Sequence, residues 1–426
     1  MTTILICTVG GSHQPIVTAI TEEKPDHVYF ICTGKDLATN APGSNLQITG
    51  KGSCIKTRFN DDAPNLPNIP TQAGLNADQF SVYITSSDEL DQIYSDCNKA
   101  IKAALSQFPS AKIIADYTGG TKSMCAGLVM AAMEYEDIEL QLITGSRNNL
   151  VAVNDGDQYR LFVNPKGIQF ERLIAPYRQA WTRYAYSEAE DGLKQTAVPQ
   201  DGELRAHYTR FRDLSRAFAE WDNFNHQTAL EILQRYASVL GPRPDFSCYF
   251  DVATRLNNDN HNVREAAQLL DLYRNAQRRA AQGRYDDAIA RVYRLIEWTA
   301  QWLLRTQCNI QTGDVKEQDI PEGLTLTKNH DSGQYQAGLF AAWQLVRFKT
   351  KGAAAQFIVA QENNMRNHIK VRNLSILAHG FEPVRASDWQ PIHSWLEEHF
   401  MPMLLAETAS VRIKELPKQL PAAYTL

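Results

Sequence analysis

Through the first third of the chain, short runs of consecutive apolar and β-branched residues alternate with stretches of helical periodicity. Ile4-Leu5-Ile6-Cys7-Thr8-Val9 reads as a strand that ends in Gly10-Gly11-Ser12, and Ile16 to Ile20 starts a helix. His27 to Thr33 repeats the pattern and stops at Gly34. Ser81 to Thr85 reads as a third strand, and Ser87 opens an amphipathic helix running to about Leu105. Lys112 to Tyr117 is a fourth strand, followed by Thr118-Gly119-Gly120-Thr121-Lys122-Ser123 and a helix from Met124 to Tyr135. Ile138 to Ile143 is a fifth, ending at Thr144-Gly145-Ser146-Arg147. Apolar strands without polar alternation, separated by helices, predict a parallel α/β sheet covered on both faces. Ala41 to about Gln79, rich in Gly, Pro, Asn and Asp, breaks the pattern and is expected to be an insertion or lid.

Around Ser187 to Glu203 the chain turns polar, and downstream the strand signals nearly vanish in favour of helical periodicity. From Asp286 to Leu304, Ile289, Val292, Ile296, Thr299 and Leu303 share one face and are expected in a core. Arg291, Arg294 and Glu297 fall on another, either an ordinary charged face or a support for a site. Asn309 to Gln334 reads as a polar loop, and a helix beginning near Gln361 carries Arg366, Asn367, His368 and Arg372. The expected organisation is α/β then all-α: a sheet domain over 1–170, a connector over 171–215 and a helical domain over 216–426.

Composition narrows the function. With 426 residues the chain can build two or three domains with real cores. Its net charge of −5 provides no overall basic field, so any nucleic-acid contact must be a local patch. The seven cysteines are odd in number and never spaced CxxC, which argues against a disulfide framework or a zinc ribbon. No set of His, Cys, Asp and Glu has metal-ligand spacing, so no metal is expected. Met1 to Val9 lacks the features of a signal peptide, and no apolar run is long enough for a membrane span, so the expected location is cytoplasmic.

A strand, a glycine turn and a helix together offer backbone amides and a helix N-terminus to an anion. The turns after the first and fourth strands face the same sheet edge, and both are either simple tight turns or parts of one anion site. Neither is a mononucleotide loop, because Gly119-Gly120-Thr121-Lys122-Ser123 fails the Walker A spacing and no GxGxxG follows Val9. Asp116 to Met124, with Cys7-Thr8-Val9-Gly10-Gly11-Ser12 upstream, resembles the CARF domain of a CRISPR-associated family. The resemblance implies a Rossmann-like, dimerising sensor of cyclic oligoadenylate. It would be lined by Thr8, Gly10, Gly11, Ser12, Thr118, Gly119, Gly120, Thr121, Lys122 and Ser123. Lys122 would meet phosphates, and the threonines and Ser12 would bond phosphate or ribose. Asp116 reads as a turn-former that accepts amide hydrogen bonds. Arg147 and Asn148 are either base and ribose contacts or a surface loop. Cyclic tetra-adenylate is favoured over cyclic hexa-adenylate as the activator, and no other cofactor is expected.

Near the end of the chain stands Val371-Arg372-Asn373-Leu374-Ser375-Ile376-Leu377-Ala378-His379-Gly380. If this stretch is helical, Arg372 and His379 share a face roughly 10 Å apart along the axis, with Ser375 between them and Gly380 as C-cap. One phosphodiester could touch both. A fixed guanidinium and a histidine titrating near neutrality suffice to cleave RNA without metal. An Arg-Asn pair with six residues between Arg372 and His379 resembles the signature of HEPN ribonucleases, in the form carried by CRISPR-associated members. His368 also follows an Arg-Asn pair, but its distance from Arg366 does not match, and it is read as a surface or supporting residue. The resemblance implies a homodimeric, metal-independent endoribonuclease acting on single-stranded RNA in type III CRISPR antiviral defence, with Arg372, Asn373 and His379 catalytic. Two alternatives stay open: a non-catalytic sensor that signals to a partner, and a CARF domain that also degrades its activator.

Overall fold

The computed structural model describes residues 1–37, 40–50, 66–145, 147–148, 152–153, 158–329, 332–377 and 380–425. The chain divides into two compact units, Met1–Arg172 and Leu173–Leu426.

In the first unit, strands β1 (Thr3–Thr8), β2 (His27–Thr33), β3 (Phe80–Thr85), β4 (Lys112–Asp116) and β5 (Ile138–Thr144) pair in parallel. A sixth strand, Tyr159–Val163, closes the sheet antiparallel to β5. The order is β3-β2-β1-β4-β5 followed by that edge strand. The five parallel strands match the expectation, whereas the antiparallel edge was not foreseen.

β1 lies at the centre because both of its faces are apolar. Ile4 and Ile6 pack with Ile93, Cys97, Ile101 and Leu128 on one side. Leu5, Cys7 and Val9 pack with Ile16, Ile20, Ile48 and Ile69 on the other. Winding from β1 out to β3 and then back to β4 makes a topological switch between β1 and β4. That is where open α/β sheets form a crevice at their carboxyl ends. Both glycine turns leave strands at this point. The described ends of the expected insertion are not a loose lid, since the short helices Leu46–Thr49 and Ile69–Ala73 place Ile48 and Ile69 in the core. The middle of the insertion, 51–65, lies outside the described residues.

Among the described residues the second unit is helical, apart from a two-strand hairpin, Thr327–Lys328 with Tyr335–Gln336. Residues 171–215, expected as a connector, instead contribute helices that include Tyr186–Gln195 and Gly202–Asp222. Their apolar faces bury Trp181, Tyr186, Phe211 and Phe218, and the Trp181 indole donates to Ser215 Oγ at 2.9 Å. The core face of helix Tyr285–Cys308 holds Ile289, Val292, Ile296, Thr299 and Leu303, all buried as expected. On its other face, Arg294 pairs with Glu297 at 2.8 Å. No described helix is long and apolar enough to cross a membrane.

A buried polar knot joins the helices here. Asp222 accepts from Arg278 Nε at 2.6 Å and Asn275 Nδ2 at 2.8 Å, and pairs with Arg279 Nη2 at 2.6 Å. Asp271 accepts from the Trp221 indole at 3.1 Å and lies 3.2 Å from His226 Nε2. Burial alone would raise the Asp271 carboxyl, but the neighbouring Arg278 and His226 hold it below its ordinary value. Arg278 is fully buried, so losing Asp222 leaves its charge, and that of Arg279, with only the longer 3.6 Å pair from Arg278 to Asp271 among the described residues, in a place water cannot reach. Asp222→Ala is therefore expected to cost about 3–5 kcal/mol in urea-unfolding stability. A loss below about 1 kcal/mol would show that the knot is not a structural anchor.

Candidate ligand and catalytic sites

At the switch point the two glycine turns touch. A Cβ added at Gly10 would sit 2.5 Å from Gly120 N, and one at Gly119 would overlap Thr8 O. Gly120 has φ +90°, in the region that disfavours side chains. Glycine is required here because two backbones meet with no room for a methyl group between them.

The hydroxyls expected to face a ligand are used to hold these turns. Thr8 is fully buried, and its Oγ1 donates to Gly119 O. Thr118 Oγ1 accepts from Ile143 N at 2.7 Å. Thr121 is the N-cap of helix Lys122–Ala132: its Oγ1 accepts from Met124 N at 3.1 Å and donates to Ser87 O. Asp116 accepts from Thr118 N at 2.9 Å and from Gln141 Nε2 at 3.1 Å, as expected of a turn-former, while burial raises its carboxyl pKa.

What is left facing outward is Gly11, Ser12 and Lys122, all exposed, and Lys122 has no ion-pair partner among the described residues. Beside them, Ser123 lies in the first turn of the helix. The arrangement offers a cation, a hydroxyl and the amino end of a helix to an anionic ligand. Arg147 belongs to a two-residue strand paired with Ala152–Val153, and its side chain lies outside the described residues.

In the second unit, Arg372 occupies the last turn of helix Ala353–Leu374, which starts eight residues earlier than Gln361. The helix ends at Leu374, because Ser375 is extended (ψ 158°). The helix that the spacing suggested for this stretch therefore does not continue through Ser375 to Leu377. Ala378 and His379 lie outside the described residues.

Ser375 is buried, and its Oγ donates to Arg372 O at 2.7 Å, so it terminates the helix and does not face a substrate. Gly380 is likewise not the helix cap. Its N–H reaches Ser375 O at 3.2 Å, and a Cβ there would collide with Leu374 O, so the loop folds back on the helix end. Val384 N donates to the Asp286 carboxylate at 3.2 Å, tying the returning segment to the neighbouring helix.

Two contacts aim Arg372. Its guanidinium carbon lies 4.4 Å from the centre of the Tyr293 ring, and Nη1 donates to Asn373 Oδ1 at 3.2 Å. A cation in the last helical turn also suits the helix dipole. Tyr293 went unnoticed in the sequence, although it follows the core position Val292 on the adjacent helix. His368 is half-buried, with its ring 5.0 Å from Trp395, and burial lowers its pKa, which makes it a supporting residue more than a surface one. Among the described residues no three His, Cys, Asp or Glu side chains gather as a metal-ligand set.

Residues 257–401 match a family model described as the Csm6 HEPN domain. Comparison with curated proteins gave no match. Among solved structures, Enterococcus italicus Csm6 bound to cyclic hexa-2'-fluoro-hexa-dAMP is similar in fold, with TM-score 0.57 and 12% identity over 97% of this chain and 96% of that one. Can2 from Sulfobacillus thermosulfidooxidans in complex with cyclic tetra-adenylate covers 56% of this chain and 68% of its own at 13% identity, with TM-score 0.22, too low to bear on the fold. The same holds for a type III CRISPR defence DNA nuclease activated by cyclic oligoadenylate, with TM-score 0.22 and 13% identity over 52% of this chain and 34% of that one. The chain thus pairs a Rossmann-like sheet unit with a helical unit that contains the segment matching the Csm6 HEPN domain. Along nearly its whole length its fold is similar to that of Enterococcus italicus Csm6.

The contact between the turns can be tested directly. Gly119→Ala is expected to lose about 1–3 kcal/mol in urea unfolding through overpacking. Gly167→Ala, with open space around the added methyl, should change little. Equal behaviour of the two variants would mean that the turns do not pack as described.

Proposed function

We propose that this protein is a metal-independent endoribonuclease switched on by cyclic oligoadenylate, acting as a homodimer on single-stranded RNA. The observation that carries the reading is Arg372, held over Tyr293 and bonded to Asn373, inside the segment that matches the Csm6 HEPN domain. A guanidinium fixed in this way is preorganised to stabilise charge building on a phosphate oxygen. His379, by the motif, moves the proton as a ribose 2′-hydroxyl attacks the adjacent phosphate, leaving a 2′,3′-cyclic phosphate and a 5′-hydroxyl. Asn373 positions Arg372 through its side-chain oxygen.

The surface around the motif supports the dimer. Leu374, Ile376, Leu377 and Phe381 are between 51% and 93% exposed, a run of apolar side chains unusual for a monomer's surface. A second copy covering them would bring two Arg372 side chains to one cleft.

The activator is assigned to the two glycine turns, with Lys122 on a phosphate and Gly10, Gly11, Ser12, Gly119, Gly120 and Ser123 surrounding it. Arg147 is proposed as a further contact. Thr8, Thr118 and Thr121 act by shaping the turns. Cyclic tetra-adenylate is the preferred ring, and cyclic hexa-adenylate, an analogue of which Enterococcus italicus Csm6 binds, is its competitor.

RNA cleavage titrated with each ring separates the two roles. His379→Ala should remove activated cleavage while leaving activator binding intact. Lys122→Ala should raise the activator concentration needed by about 5- to 150-fold, for a lost contact of about 1–3 kcal/mol, and recover much of the rate at saturation. Full activity in His379→Ala would sink the catalytic assignment, and an unchanged Lys122→Ala titration would reduce the second turn to a connection.

A further inference from the structure

Among the described residues, the insertion between β2 and β3 bonds to the first glycine turn through one side chain. Gln47, on the short helix Leu46–Thr49, is fully buried, and its Nε2 donates to Gly10 O. Its helix is fastened to the end of β2, where Thr33 N donates to Ser44 Oγ at 2.9 Å and Ser44 N donates to Thr33 Oγ1 at 2.9 Å. Asn68 from the far end of the insertion donates to Gly50 O at 3.0 Å. Gln47 is thus a rigid donor aimed at one carbonyl.

A trans peptide points its C=O and the following N–H in opposite directions. Anchoring Gly10 O from inside the protein therefore turns the Gly11 N–H outward, and that N–H makes no hydrogen bond among the described residues. Without the anchor, two successive glycines would leave this peptide free to rotate. The Gln47 Oε1 is buried and has no hydrogen-bond partner among the described residues, so the bond to Gly10 O is the polar contact that places this side chain. Methionine would fill the same space without that uncompensated oxygen.

We infer that Gln47 is a positioning residue for the activator: it fixes the Gly10–Gly11 peptide so that the Gly11 N–H meets an activator phosphate. The inference rests on the activator site proposed above. Its signature is that binding and stability move in opposite directions. Gln47→Met should bind cyclic tetra- or hexa-adenylate roughly tenfold more weakly in calorimetry, the loss expected for one hydrogen bond to a charged group. Its melting temperature should hold or rise, and its RNA cleavage at saturating activator should equal wild type. Gln47→Glu supplies a second readout. Burial raises its carboxyl pKa, and the protonated acid can again donate to Gly10 O, so activator affinity should recover as pH falls. Wild-type affinity in Gln47→Met, or a drop in melting temperature with unaltered affinity, overturns the positioning role alone. Wild-type protein that binds neither ring overturns the activator site and this inference together.

Discussion

The close approach of Gly10 and Gly120 at the carboxyl edge of the sheet is the constraint on which the proposed ligand site depends. It exists because β1 is apolar on both faces and so takes the central position, with β2 on one side and β4 on the other. Neighbouring strands then deliver two turns to one point. Thr8 and Gln47 tie these turns from within by their carbonyl oxygens, which leaves the outward surface to amides, Ser12 and Lys122. An anion is the ligand such a surface favours.

The helical unit solves a different problem, which is to hold a cation still at a helix end. The Tyr293 ring supports the guanidinium of Arg372, and Asn373 fixes one of its nitrogens. Ser375 stops the helix directly afterwards, and the described residues that follow are fastened by Gly380 N–H to Ser375 O and by Val384 N–H to the Asp286 carboxylate.

The parallel strands were legible because each is a continuous apolar run closed by glycine or a polar turn. The edge strand Tyr159–Val163 was not, since Tyr159 to Phe162 are exposed on both faces and Arg160 interrupts the apolar run. Residues 171–215 looked like a linker because the polar faces of amphipathic helices dominate their composition, while the buried Trp181, Tyr186 and Phe211 are widely spaced. The helix break after Leu374 was hidden because Leu374, Ile376 and Leu377 suggest a buried face, yet all three are exposed. Local sequence also could not show that Thr8, Thr118 and Thr121 spend their hydroxyls inside the turns, as their partners lie up to 111 residues away. The Arg372 motif was readable as chemistry, but its support by Tyr293 depends on the packing of two helices.

The central claim joins a phosphate-binding Rossmann-like unit to metal-free RNA cleavage in the helical unit. Mass spectrometry of the RNA products, with and without cyclic oligoadenylate and in the presence of EDTA, tests it most directly. The account predicts 2′,3′-cyclic phosphate and 5′-hydroxyl ends that accumulate with activator, persist in EDTA and vanish on 2′-O-methylated RNA. Products with 5′-phosphate ends, made from DNA as readily as RNA and only with added magnesium, would contradict it.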